Sequence, residues 1–211
     1  MNKLVRLNLA QLDEGRKKAL SNSVDLVNDA KVLQRKNRWA RALFLSQLAA
    51  EELGKYVIIV SAAVNLTRAE QSEANINWER FWGDFWKRYK LHHAKMSLII
   101  HVEYFLSDSK AHEYLKKISK EAYTAEGVKM AALYSDFYDK FRSPKELITK
   151  RVSSLAVRLA ERRVSWLKSY DKEVIGKNGL LRLTKMDLKQ MDEKLGINDL
   201  MNRMIKSYSS S

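Results

Sequence analysis

Between about Ala40 and Leu66 the chain carries an almost unbroken apolar run of helical character, and two carboxylates, a lysine and a glycine sit in the middle of it: Ser46-Gln-Leu-Ala-Ala-Glu51-Glu52-Leu-Gly54-Lys55. A helix that is apolar nearly all round is buried. Charges inside it are costly unless they are paired or used. The segment therefore either holds a structural ion pair or builds a site.

The rest of the sequence reads as helical. One proline, Pro144, and seven glycines occur in 211 residues, so little interrupts long helices. The spacing predicts a first helix over about Glu14 to Arg35. There, Ala19, Leu20, Val24, Val27, Ala30 and Leu33 recur at helical intervals. A tight break at Lys36-Asn37-Arg38 then makes an antiparallel hairpin with the apolar helix. Thr67 to Asn77 reads as a polar loop, and one long helix is expected over Trp78 to Leu106. Short helices are expected at 111–120 and 127–138. Ser143, Pro144 and Glu146 form a helix-start signature for a helix running to Tyr170. Thr184 with Asp187 reads as the start of a last helix, to about Ile205. No strand pattern of useful length occurs. The fold class expected is all-α. Residues 1–12 form an N-terminal extension, 13–172 the bundle and 173–211 a helical appendage with a frayed tail.

Some chemistries are excluded or disfavoured. There is no cysteine, hence no disulfide framework and no thiolate nucleophile. No apolar stretch reaches the ~20 residues of a membrane span, and residues 1–13 lack a signal-peptide pattern. A cytoplasmic protein without membrane contact is expected. The formal net charge is +14. Between Lys140 and Lys172 ten basic residues face three acidic ones, a surplus of seven. Such a surplus favours an anionic partner, nucleic acid first, or else a solvated basic surface.

On helix two, Ala42, Leu43, Ala49, Ala50, Leu53, Val57 and Val60 form the main apolar stripe at ~100° per residue. Glu51, Glu52 and Lys55 fall opposite, among Phe44, Leu45, Leu48, Tyr56 and Ile59. Glu51 and Lys55 are four apart, the favourable order for an ion pair, and Glu52 and Lys55 are three apart. This second greasy face suits another helix or another subunit, and Gly54 permits close backbone approach.

The segment Trp78 to Lys95 carries the second constellation. Trp78, Phe81, Trp82, Phe85, Trp86 and Tyr89 form a core stripe. On one continuous helix Arg88, His92 and Lys95 share a side, and His93 points ~100° away. A neutral imidazole acts as a general base near neutral pH, and neighbouring cations hold a phosphate or a developing anion. Glu51, Glu52, His92 and His93 are conceivable metal ligands. However, the repeated Glu-x-x-His motifs of di-iron bundles are missing and the adjacent cations oppose a metal ion. No cofactor is expected. Neither a nucleophile elbow nor a Gly-rich phosphate loop occurs.

Taken in order, Ala42-Leu43, Ser46-x-x-Ala-x-Glu51-Glu52-x-Gly54-Lys55, the aromatic helix leading to His92-x-x-Lys95, Leu133-Tyr134-Ser-Asp136-Phe137 and Pro144 opening a basic helix resemble the AbiV family of bacterial abortive-infection proteins. The resemblance spans roughly residues 13–170. AbiV proteins are similar to the HEPN superfamily of small helical bundles. The resemblance thus implies an antiparallel HEPN-like bundle, a homodimer with its site at the subunit interface, and action against phage. It also implies a metal-independent ribonuclease, or a non-enzymatic effector that binds a phage-encoded protein. The superfamily's Arg, four to six residues, His motif fits Arg88 and His93 by spacing, whereas the family's own pattern points to His92 and Lys95. On this reading the active residues come from His92, His93, Lys95, Arg88, Glu51, Glu52 and Lys55. Arg151, Arg158 and Arg162, along one side of the basic helix, hold an RNA backbone.

Overall fold

A computed structural model describes residues 5–72, 76–107, 115–137, 140–187 and 189–190, and within these the side chains outside 101–123 and 136–137. Helix α1 spans Leu9–Arg35 and α2 spans Trp39–Gln71. They are followed by α3 (Trp78–Lys90) and α4 (His92–Ser107), then α5 (Leu115–Leu133). A two-residue antiparallel ladder, β1 (Asp136–Phe137) with β2 (Phe141–Arg142), precedes α6 (Pro144–Leu147) and α7 (Lys150–Tyr170). A π-turn at Asp171–Ile175 and a 3-10 segment at Gly179–Lys185 complete the described chain. The protein is an all-α bundle, with the ladder as its one strand pair among the described residues.

Helix α2 is the axis. It is buried along most of its length and packs against α1, α7, α4 and α5. Leu43, Leu53, Val60 and Val64 on α2 are almost completely buried. Each such side chain contributes roughly 1.5–3 kcal/mol relative to exposure. The α1–α2 break lies where the sequence places it. Asn37 takes a left-handed φ of 58°, which asparagine tolerates better than most residues, and Arg38 N–H donates to the Leu33 carbonyl at 2.9 Å, closing the end of α1.

Several boundaries differ from the periodicity-based expectation. α1 begins at Leu9, five residues early, because Asn8 and Gln11 form a reciprocal capping box (2.9 and 3.0 Å) and Leu9 and Leu12 join the core. α2 continues through the expected loop as far as Gln71. The buried Thr67 hydroxyl donates to the Ala63 carbonyl at 3.0 Å, so the polar side chain is satisfied inside the helix. The two short helices expected around 111–138 are one described helix, α5, which runs straight through Gly127, and a hairpin follows it. The remainder of the first of them, 111–114, lies outside the described residues.

The Ser143 start is real: the Glu146 carboxylate accepts from the Ser143 N–H and hydroxyl, both at 2.6 Å. The helix it opens lasts one turn, however. Ile148 adopts an extended conformation and buries beside Ala40, Leu43 and Ala132. Thr149 then caps α7 by accepting from Val152 N–H at 3.3 Å. The final helix expected beyond Asp187, with the Ser-rich tail, lies outside the described residues apart from 189–190.

The segment after α7 is tied to the bundle by a buried polar knot. The Arg16 side chain, 1% exposed, donates to Asp13 Oδ1 at 2.8 and 3.0 Å and to Asp171. Tyr56 Oη donates to Asp171 Oδ1 at 2.8 Å, and Leu180 N–H donates to Asp13 Oδ1 at 2.8 Å. Gly179, at φ 59°, passes so near Asp13 that a β-carbon would lie 2.4 Å from Oδ1. Ile175, Leu180, Leu183 and Met186 then enter the main core.

Candidate functional site

The long helix expected over 78–106 is broken at Leu91, which is extended (φ −74°, ψ 122°). Neither glycine nor proline marks the break. The cause is tertiary. α3 docks through Trp82 and Phe85, and α4 docks through Met96, Ile99 and Ile100. The turn at Leu91 lets each helix dock on its own face of the bundle. α4 then crosses α2 at Gly54, where a β-carbon would lie 2.3 Å from the Lys95 carbonyl oxygen and 2.8 Å from its Cα. The glycine thus allows the backbones to touch, and it sets the first turn of α4 directly beside Glu51.

Glu51 is the centre of what results. Its side chain is 5% exposed, and each carboxylate oxygen has its own partner. Oε1 accepts from Lys129 Nζ at 2.6 Å, and Oε2 lies 2.6 Å from His92 Nδ1 and 3.6 Å from Lys95 Nζ. Lys129 comes from α5 and is 3.4 Å from Glu126, one turn before it. Lys95 and Lys129 are as deeply buried as Glu51, whereas the His92 side chain is 55% exposed. One carboxylate therefore pins three helices, α2, α4 and α5, and presents an imidazole at the surface.

Burial pushes the Glu51 carboxyl up. The hydrogen bonds and charges of Lys129 and His92 outweigh it and hold the group below the usual carboxylate range. Burial pulls the Lys95 ammonium down, although Glu51 works the other way. An ionised carboxylate only accepts, so His92 Nδ1 carries the hydrogen and donates it to Glu51. In a neutral ring that leaves the Nε2 lone pair free for proton transfer. A carboxylate-backed, solvent-facing imidazole with two buried ammonium groups behind it is suited to general-base chemistry on an anionic substrate.

The structure brings Glu51, His92 and Lys95 together and sorts the other sequence-predicted residues differently. Glu52 pairs with Lys55 within α2, and Lys55 Nζ lies 5.6 Å from the Tyr89 ring centroid. Of the two pairings that the spacing allows Lys55, the structure has the i,i+3 one with Glu52, and Glu51 pairs with Lys129 instead. The break at Leu91 removes the continuous helix that put Arg88 on the His92 side. Arg88 instead lines a recess of about 140 Å³ with Ser61, Asn65, Asp84, Phe85 and Leu98. His93 is half-buried, one position further along α4. The greasy second face of α2 is covered around Glu51 and Gly54 by α4 and α5 of the same chain. Arg151, Arg158 and Arg162 are exposed, at spacings that place them on one face of α7. Among the described residues no three His, Asp or Glu side chains are grouped so as to hold a metal ion, and no helix is long and apolar enough to cross a membrane.

Lys129 was not foreseen. The local signal is only Glu126-x-x-Lys129, an ordinary surface-helix spacing. Its partner lies 78 positions away. The Asp13–Arg16–Asp171 knot was missed for the same reason.

The family model described as AbiV matches residues 11–165, well over half of the chain. No curated protein and no solved structure matches it.

Proposed function

The chain belongs to the AbiV family of HEPN-like proteins, and from that premise we propose that it arrests phage multiplication in the bacterial cytoplasm by cutting RNA at the Glu51–His92 centre. The observation that carries the reading is the 2.6 Å contact between the buried Glu51 and the exposed His92. It supplies an oriented base without calling on a metal ion. His92 Nε2 takes the proton of a ribose 2′-hydroxyl. The 2′-oxygen bonds to phosphorus, the bond from phosphorus to the 5′-oxygen breaks, and that oxygen takes a proton from solvent. The products are a 2′,3′-cyclic phosphate and a 5′-hydroxyl end. Lys95 and Lys129 oppose the charge that gathers on the phosphorane. Arg151, Arg158 and Arg162 hold the backbone on either side.

The protein acts in this reading as a homodimer. Met130, Leu133 and Tyr134 at the end of α5 and Phe141 in the hairpin, which is 80% exposed, supply apolar surface near Lys129. The test is expression of wild type and of a His92→Ala/His93→Ala double variant, following RNA integrity and growth. RNA fragmentation and arrest with wild type alone support the nuclease. Equal toxicity with intact RNA in both removes it.

The same exposed apolar residues support a second reading, a non-enzymatic effector that binds a phage-encoded protein and blocks translation or phage maturation. In that case Phe141→Asp abolishes protection while His92→Ala retains it.

A further inference from the structure

Lys129 holds no part in the chemistry just described beyond its charge, yet its geometry gives it a sharper task. Glu51 has two oxygens and two close donors, Lys129 Nζ on Oε1 and His92 Nδ1 on Oε2, both at 2.6 Å. A lysine ammonium carries three donors and no acceptor, so it demands an oxygen from residue 51. Lys129 is also fixed: it is 5% exposed, sits one turn before the end of α5, and has Glu126 3.4 Å away. Lys95 cannot replace it on Oε1, because it lies on the Oε2 side at 3.6 Å.

We propose that Lys129 is the positioning residue of the centre: by claiming one oxygen of residue 51 it fixes the orientation of that side chain and so settles which of its atoms faces His92 Nδ1. The catalytic part of this proposal rests on the nuclease reading above, whereas the tautomer itself does not. With Glu51 ionised, His92 is held as the Nδ1–H form, which leaves Nε2 as the acceptor, and Lys129 fixes the oxygen that meets the ring. Without Lys129, the carboxylate is released to swing toward Lys95, and His92 loses its anchor. Lys129 therefore acts on catalysis through Glu51 and His92 and touches no substrate.

Residue 51 offers a decisive variant. In Glu51→Gln the side chain has one oxygen and one NH2 group. Lys129 takes the oxygen, which leaves the NH2 facing Nδ1. His92 must then accept at Nδ1 and carry its hydrogen on Nε2. A change of one atom inverts the tautomer, but only while Lys129 imposes the orientation of the amide.

The experiment is nitrogen-15 NMR of the imidazoles in the full chain at a pH where they are neutral, with His92 assigned among the four histidines by its loss in His92→Asn. Wild type is expected to show Nδ1–H, Glu51→Gln to show Nε2–H, and Glu51→Gln/Lys129→Met to show a mixture. The proposal is overturned if wild type shows Nε2–H, or if Glu51→Gln and the double variant give the same tautomer. These outcomes need no cleavage, so they stand or fall apart from the nuclease reading. Glu51→Gln/Lys129→Arg, which keeps a donor in place if the Met double variant folds poorly, is expected to show Nε2–H as Glu51→Gln does, and a mixture there overturns the proposal. Where RNA cleavage is measured, Glu51→Gln lowers kcat on the order of a hundredfold, the size of a general-base contribution, with KM little changed. An unchanged kcat alongside an inverted tautomer leaves Lys129 as the tautomer-setting group and removes the role of His92 Nε2.

Discussion

Gly54 meets Lys95 backbone to backbone: a β-carbon on residue 54 would lie 2.3 Å from the Lys95 carbonyl oxygen, 2.7 Å from its carbonyl carbon and 2.8 Å from its Cα. No flexible side-chain end is available to give way, so Gly54→Ala forces α4 off α2. Overpacking of a close-packed core costs about 1–3 kcal/mol, and a clash with backbone belongs at the upper end. The urea midpoint is expected to fall, and the His92 imidazole signal is expected to lose the signature of its Glu51 contact. A variant with wild-type stability and an unchanged His92 signal contradicts the crossing.

Glu51 and His92 play unequal parts in stability. Glu51→Leu leaves Lys95 and Lys129 buried together without their carboxylate, and breaking a buried ion pair from one side costs about 3–5 kcal/mol. His92 is half exposed and its loss leaves Glu51 paired with Lys129 and Lys95, so His92→Ala changes stability by less than about 1 kcal/mol. Denaturant unfolding of the two variants separates structural from chemical roles. On the nuclease reading, His92→Ala is expected to lose cleavage while the fold remains.

Acid sensitivity has a calculable sign. Glu51 and Asp13 are both held below their ordinary values. Burial raises each, but hydrogen bonds from Lys129 and His92 to Glu51, and from Lys17, Leu180 and Arg16 to Asp13, outweigh it. Below about pH 4 the unfolded chain takes up protons at these positions while the folded one does not. Their stabilisation is therefore present in full above that range and drains away as the pH falls through the depressed folded values. Urea midpoints measured from pH 6 down to pH 3 are expected to drop steeply for wild type and less steeply for Glu51→Gln and Asp13→Asn. Parallel curves for all three contradict the assignment.

The outline of the bundle was legible because apolar residues at helical spacing report burial directly: the α1–α2 hairpin, the buried α2 and the Ser143–Glu146 start all follow from local pattern. That the charges of α2 and His92-x-x-Lys95 make one polar centre was legible too, because charge inside an apolar helix has few explanations, whereas which of Glu51 and Glu52 meets His92 was not. What the pattern did not contain was long-range. Leu91 breaks a helix that its own residues favour, because two docking faces must be met. Ile148 interrupts another for the sake of one buried side chain. Lys129 looks like any surface lysine until α5 is folded onto Glu51. Arg88 was misplaced as a direct consequence of the Leu91 break, since four residues on a continuous helix and four residues across a turn point in different directions.

The basic face of α7 makes a separate prediction for nucleic acid. Arg151, Arg158 and Arg162 are exposed at positions that share a face. If each neutralises a phosphate of single-stranded RNA, the slope of log affinity against log salt contains roughly 0.7 per contact. Changing all three to glutamine lowers that slope by about 2 and weakens binding without altering the sequence preference. An unchanged slope removes this face from the RNA path.

Whether a carboxylate-held His92 cuts RNA is decided by a cleavage assay on the purified full chain. Wild type, His92→Ala and His93→Ala are incubated with RNA in the presence of EDTA, and the fragment ends are identified. Fragments ending in 2′,3′-cyclic phosphate are expected from wild type and from His93→Ala, and intact RNA with His92→Ala. Intact RNA with wild type under these conditions, or equal cleavage by His92→Ala, contradicts the nuclease reading.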